Sequence, residues 1–255
     1  MQSADAVMAA IHHLNLAHGL AVSRIRTTVP EAKIGTVIAM QPVVDWENDP
    51  DGSARLDVLS NRAFTDPALL GTYPDLLIEE LSPFIQQGDL ELIQQPLDFF
   101  GLNHYTTMRA CSAPGTALGV KIIQPPPKIP QTLKGWEINP EMLYQQLLEL
   151  KNRYGNLPVY ITENGCAAPD KLDSDGKVSD PERVAYFRDY LRAASHAIDD
   201  GVNLKGYFAW SLMDNFEWAD GYTQRFGIVY VDFPTQKRIP KNSFYFLKNI
   251  FQNNK

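Results

Sequence analysis

The sequence is poor in cysteine, with two thiols in 255 residues. Cys111 and Cys166 form no Cys-x-x-Cys pair, so no disulfide framework or thiolate metal site is indicated, and each reads as an ordinary buried or loop thiol. Asn-x-Ser/Thr sequons are missing as well. The N-terminal stretch lacks a basic segment followed by an apolar run; His12, His13, Asn15 and His18 are scattered through it instead. No window approaches the roughly 18 consecutive apolar residues that a membrane span requires. A cytoplasmic chain without a membrane segment is the expectation. The net charge of −7 leaves no basic excess, which argues against a nucleic-acid partner. What remains is ordinary for a globular protein: 44% hydrophobic and 21% charged residues. A single domain over residues 1–255 is expected, since α/β barrels run to about 250 residues.

Strand and helix patterns alternate along the chain. Val7, Ala10, Ile11 and Leu14 have helical spacing, predicting a helix from Ala4 to about Arg26 with the histidines on its exposed face. Ile34–Met40 reads as a buried strand, followed by a loop from Gln41 to Gly52 that contains Glu47-Asn48-Asp49-Pro50. Helices are predicted from Ser53 to about Phe64 and from Tyr73 to Gln87. The second strand is Asp98–Asn103. After Thr106 comes a long irregular region around Pro125-Pro126-Pro127, because proline cannot donate to a ladder. Pro140–Tyr154 has proline in its first turn and Gly155 as its stop, which marks a helix. Leu157–Thr162 and Lys205–Leu212 are the third and fourth strands, separated by a helix from Pro181 to Gly201 that Ser179 or Asp180 caps. Ser243–Gln252 closes the chain as a helix. This alternation predicts a parallel α/β architecture. Four strands emerge, however, where a closed barrel has eight.

The last three strands end in polar clusters: Asn103-His104-Tyr105, Glu163-Asn164-Gly165, and a block from Trp210 to Trp218. Carboxyl ends of parallel strands build the sites of such folds, so these clusters are expected to converge. Glu163 is a candidate nucleophile. Indoles offer apolar faces to sugar C–H groups, and amide, phenol and carboxylate groups fix hydroxyls. Taken singly each signal is weak, because Glu-Asn-Gly also makes turns, tryptophan also fills cores, and His104 alone reads as a structural histidine. The three histidines of the first helix lack paired ligand spacing, so no metal is expected.

Taken together, these segments resemble glycoside hydrolase family 1, the β-glucosidases and β-galactosidases, along essentially the whole chain. Ile161-Thr162-Glu163-Asn164-Gly165 is similar to the family's nucleophile motif. Phe100-Gly101-Leu102-Asn103-His104-Tyr105 resembles its sixth strand, with His104 where many members have tyrosine. Gly206 to Trp218 resembles the eighth strand, Arg225 to Asp232 the segment after it, and Gly135-Trp136-Glu137-Ile138 a loop on the leaving-group side. The resemblance implies the second half of a (β/α)8 TIM barrel, incomplete on its own. It also implies a retaining mechanism without a cofactor. Glu163 would attack the anomeric carbon, Tyr105 would hold that carboxylate, and Asn103 would orient groups beside it. Glu217 and Trp218 would bind sugar hydroxyls, with Trp210 as the floor, Phe226 as the far wall and Trp136 stacking on the aglycone. Members that act on 6-phospho-sugars replace the Glu-Trp pair, so Glu217-Trp218 implies an unphosphorylated β-glycoside substrate.

One family motif is absent. The acid/base lies in Asn-Glu-Pro after the fourth strand, and no Asn-Glu-Pro occurs here. A retaining enzyme needs two carboxyl groups roughly 5–5.5 Å apart. The expectation is therefore a nucleophile-bearing piece completed by an N-terminal half, with open barrel edges that attract that half or a second copy. The alternatives are a half-barrel that only binds sugar weakly, or an interaction protein that uses those edges.

Overall fold

Ser3 accepts a hydrogen bond from the Ala6 amide at 3.2 Å and starts helix α1 (Ala4–Thr28) in the computed structural model, which describes residues 3–253. The elements that follow are β1 (Gly35–Ala39), β2 (Val43–Asp45), α2 (Pro50–Asp57), α3 (Ala63–Leu70), α4 (Asp75–Leu81) and α5 (Asp89–Ile93). Next come β3 (Phe99–Asn103), β4 (Met108–Ser112), β5 (Val120–Ile123), α6 (Pro140–Tyr154), β6 (Val159–Asn164) and α7 (Pro181–Asp199). The chain finishes with β7 (Leu204–Ala209), β8 (Val229–Asp232), β9 (Lys237–Pro240) and α8 (Asn242–Asn253).

The expected strands form one sheet in the order β1-β3-β6-β7, with every pairing parallel. This is a partial barrel, as expected. Its outer face carries Phe100, Leu102, Val159 and Ile161, packed on Leu143, Leu147 and Leu150 of α6 and on Tyr186, Phe187 and Tyr190 of α7. Its other face is open: Val37 of β1 and Phe208 of β7 are 52% and 57% exposed. Among the described residues, β1 pairs only with β3 and β7 only with β6, so both outer edges of the sheet are unpaired.

Several expectations are corrected. The loop from Gln41 to Gly52 contains β2, and α2 begins at Pro50 because Asp49 caps it by accepting from the Gly52 amide at 3.0 Å. The predicted Ser53–Phe64 helix is α2 and α3 joined by a wide turn at Val58–Arg62. The predicted Tyr73–Gln87 helix stops at Leu81 and continues as one tight turn over Ser82–Phe84, with α5 separate after Gly88. The irregular region after Thr106 holds β4 and β5, which join β2 in a small sheet, while Pro125 to Pro127 stay outside helix and strand. The fourth strand ends at Ala209, not Leu212. Asp180 sits at the cap position of α7, but its carboxylate caps nothing there and instead accepts from Arg183 and Ser243.

One histidine of α1 also differs from expectation, while His13 is exposed as expected. His12 is fully buried, with Nδ1 2.9 Å from the Tyr73 hydroxyl and Nε2 2.9 Å from an Asp89 carboxylate oxygen. Leu14, by contrast, is 61% exposed.

Candidate active site

At the end of β6 the strand stops alternating. Simple period-two alternation would point Glu163 to the face of Ile161, which is packed under α6 and α7. Register shifts against β3 and β7 interrupt the ladder between Ile161 and Asn164. Such irregularities re-aim side chains beside functional sites. Here they put Glu163 opposite Asn103 and send Asn164 into the core. The buried Asn164 amide donates to the His104 carbonyl at 2.7 Å and to the Tyr186 hydroxyl at 3.0 Å, and accepts from the Tyr207 hydroxyl. Asn164 is thus a strut that ties three strand ends together, and Glu163 is left to face the open side.

The Tyr105 hydroxyl donates to Glu163 Oε2 at 2.6 Å. Burial, followed by the hydrogen bond to Glu163 and its charge, pushes the phenol well above its ordinary range, so it remains a donor. The Thr162 hydroxyl donates to Asn103 Oδ1 at 2.6 Å, fixing the amide on the same strand end. The rings of Tyr105, Trp136 and Phe226 form a cluster with centroids 5.3, 6.2 and 5.8 Å apart. Phe226 is only 1% exposed and backs the other two rings. Trp136 is held from behind by its neighbour Glu137, which is buried and receives two hydrogen bonds from Arg109, at 3.0 and 3.1 Å.

Trp210 donates from its indole to Glu217 Oε1 at 3.3 Å. Burial pushes the Glu217 carboxyl up; the Trp210 hydrogen bond and the Lys134 charge oppose this, and Glu163 and Asp220 add to it. Lys134 pairs with Asp220 and lies 5.0 Å over the Trp136 ring. It therefore links the loop carrying Trp136 to the loop after Glu217. Trp218 stands apart, 85% exposed and without a hydrogen bond from its indole among the described residues. Glu163, Tyr105, Asn103, Trp136, Phe226, Trp210 and Glu217 thus come to one end of the sheet, as expected, and Trp218 lies at its open rim.

His104 points away from the site. It is fully buried, its Nδ1 lies 2.7 Å from Gln146 Oε1, and burial pushes the imidazole down to about 4. It is a neutral structural residue at ordinary pH. Cys166, under the same strand end, is pushed up to about 12 by burial and is an inert thiol.

A buried ionic cage beneath the site escaped the sequence reading. Arg183 donates to both oxygens of Asp170 at 2.9 Å, and Lys241 bridges Asp170 at 2.5 Å and Asp214 at 2.8 Å. Arg225 donates to Asp214 at 2.5 Å, and Asp180 pairs with Arg183. Three cations face three anions, so the cage is balanced. It anchors the segment from Asp214 to Val231 that carries Glu217 and Phe226, since Asp214 also accepts from the Gly227 and Val231 amides. Asp214 and Arg225 lie inside recognisable motifs, but their partners are scattered from Asp170 to Lys241, and nothing in the spacing pairs them.

The carboxyl ends of the parallel sheet thus carry a carboxylate held by a phenol, an amide beside it, and an indole bonded to a second carboxylate. The model of glycosyl hydrolase family 1 matches residues 1–255. The chain is 42% identical to a bifunctional β-D-glucosidase/β-D-fucosidase of Bifidobacterium breve, over 92% of this chain and 55% of that protein. It is also 42% identical to β-glucosidase A of Thermotoga maritima, over 96% of this chain and 56% of that one. The solved family 1 β-glucosidase of Thermotoga maritima superposes with a TM-score of 0.92 at 38% identity, covering all of this chain and 58% of the other. A psychrophilic β-glucosidase of Micrococcus antarcticus gives 0.91 at 40% identity, covering 60% of that chain. The chain belongs to glycosyl hydrolase family 1, and it spans a little over half the length of these relatives.

Proposed function

We propose that this chain is the nucleophile-bearing part of a retaining β-glycosidase that acts on unphosphorylated β-glycosides once an N-terminal segment supplies the acid/base. The observation that carries the reading is the 2.6 Å hydrogen bond from Tyr105 to Glu163, on a strand end where broken alternation turns the carboxylate outward. In the first step a Glu163 oxygen bonds to the anomeric carbon as the glycosidic C–O bond breaks, and the leaving oxygen takes a proton from the acid on the completing segment. Water then attacks the same carbon, gives its proton to the group that acted as the acid, and releases Glu163. Asn103, Glu217, Trp210 and Trp136 position the sugar and its leaving group. Trp218 completes the subsite when the rim is covered. One solved relative, the β-glucosidase of Thermotoga maritima, supports a sugar-like ligand, having been solved in complex with deoxynojirimycin and with castanospermine. Glu217 disfavours a phosphate there by charge.

The test is co-expression with the N-terminal part of a family member that carries the acid/base. The assembly should hydrolyse an aryl β-glucoside, with the β-anomer appearing first by NMR; an assembly without turnover counts against the reading. The second reading, a binding or interaction protein without turnover, is favoured by the open sheet edges. It predicts sugar binding or tight association that is unaffected by Glu163→Gln.

A further inference from the structure

We infer that Gln41 is the positioning residue that sets Tyr105 against Glu163. The inference rests on the proposal that Glu163 is the nucleophile. Gln41 follows β1, two strands away from Glu163, and spends its whole side-chain amide on the exit of β3. Its Oε1 accepts from the Tyr105 and Thr106 amides, both at 2.9 Å, and its Nε2 donates to the Asn103 carbonyl at 3.2 Å. Two N–H groups converging on one atom fix which end of the amide is oxygen. The backbone of Gln41 is itself clamped: Asn61 accepts from its N–H at 3.1 Å and donates to its carbonyl at 2.9 Å. Asn61 is buried and also donates to Asp57 at 2.8 Å.

The geometry gives a chain of command with few loose joints. Asn61 holds Gln41, Gln41 holds the backbone of Tyr105 and Thr106, and that backbone presents the Tyr105 phenol, whereas the Asn103 amide is held separately by the Thr162 hydroxyl. Tyr105 lies beyond the last ladder residue of β3, where no strand partner holds its amide. Gln41 supplies the missing acceptor for two consecutive N–H groups. An apolar side chain at this position would leave both amides unpaired and free the phenol to swing from the carboxylate. A misplacement of about 1 Å costs up to about 100-fold in rate when it touches a reacting group.

Two measurements test this. In the completed enzyme, Gln41→Leu should lower kcat roughly 10- to 100-fold while KM changes less than about twofold, and Gln41→Glu, which keeps the acceptor but loses the donor to the Asn103 carbonyl, should recover part of the loss. In a Tyr105→Phe background, Gln41→Leu should change kcat by less than about twofold, because the residue it acts through is already disabled. Additive losses in that cycle would overturn the inference and mark Gln41 as merely structural. The second measurement needs no turnover. With 3-fluorotyrosine at position 105 of this chain, Glu163→Gln should shift the fluorine resonance, and Gln41→Leu should abolish that response. An unchanged response in Gln41→Leu, or no response at all in the parent chain, overturns the inference. If the assembly is inactive, the functional reading fails and the fluorine experiment still decides the role of Gln41.

Discussion

A Cβ placed on Gly165 would lie 1.8 Å from the carbonyl oxygen of Trp210. The two strand ends touch backbone to backbone here, and the Trp210 amide donates to the Asn164 carbonyl at 2.8 Å. No side chain of any kind fits between them. Gly165→Ala should therefore spread the ends of β6 and β7, costing on the order of 3 kcal/mol in a urea titration. A loss below about 0.5 kcal/mol would show that the contact yields readily.

Tyr105→Phe removes the hydroxyl that donates to Glu163 and little else, because the ring keeps its contacts with Trp136 and Phe226. Hydrogen bonds to a charged group contribute about 1.5–3 kcal/mol, so kcat of the completed enzyme should fall roughly 10- to 150-fold. The urea midpoint should fall as well, because the same hydrogen bond stabilises the folded chain.

His104 gives stability a pH dependence. Its folded-state value, near 4, lies below the ordinary 6.5, so the unfolded chain binds more protons between those limits. The contribution is complete above pH 6.5 and is lost as pH falls toward about 4; the gap corresponds to roughly 3 kcal/mol. His104→Phe should flatten that part of the curve of unfolding free energy against pH. An unchanged slope would mean that His104 does not titrate there.

Lys241→Met should cost about 3–5 kcal/mol, because Asp170 and Asp214 would keep their burial and lose a shared cation. Lys134→Met removes a half-exposed rim pair and should cost below about 1 kcal/mol. The contrast between the two lysines, read in one denaturation series, separates the cage from the rim.

The strands and most helices were legible because their signals are local: period-two runs, proline at a first turn, and glycine after a last one. The site was legible as a set of strand ends. What was illegible depends on partners far along the chain. His12 and Asn15 look like solvent-facing residues of α1, and they are buried because Tyr73, Asp89 and the Ala63 carbonyl satisfy them from 48 to 77 residues away. Leu14 looks like core, yet it is mostly exposed. Strands β4 and β5 are short, and they exist because they pair with each other and, through β4, with β2. The break in alternation between Ile161 and Asn164 is also a property of neighbouring strands, so the sequence points to the carboxylate but not to the direction in which it faces.

The two unpaired edges of the parallel sheet make the chain's robustness depend on its company. Anything that docks on the folded edges and ignores the unfolded chain raises the apparent unfolding free energy by mass action, about 2.7 kcal/mol at a concentration one hundred times the Kd. The midpoint of a thermal melt should then climb with the amount of companion present, so a melting temperature measured in isolation describes the solution as much as the sequence.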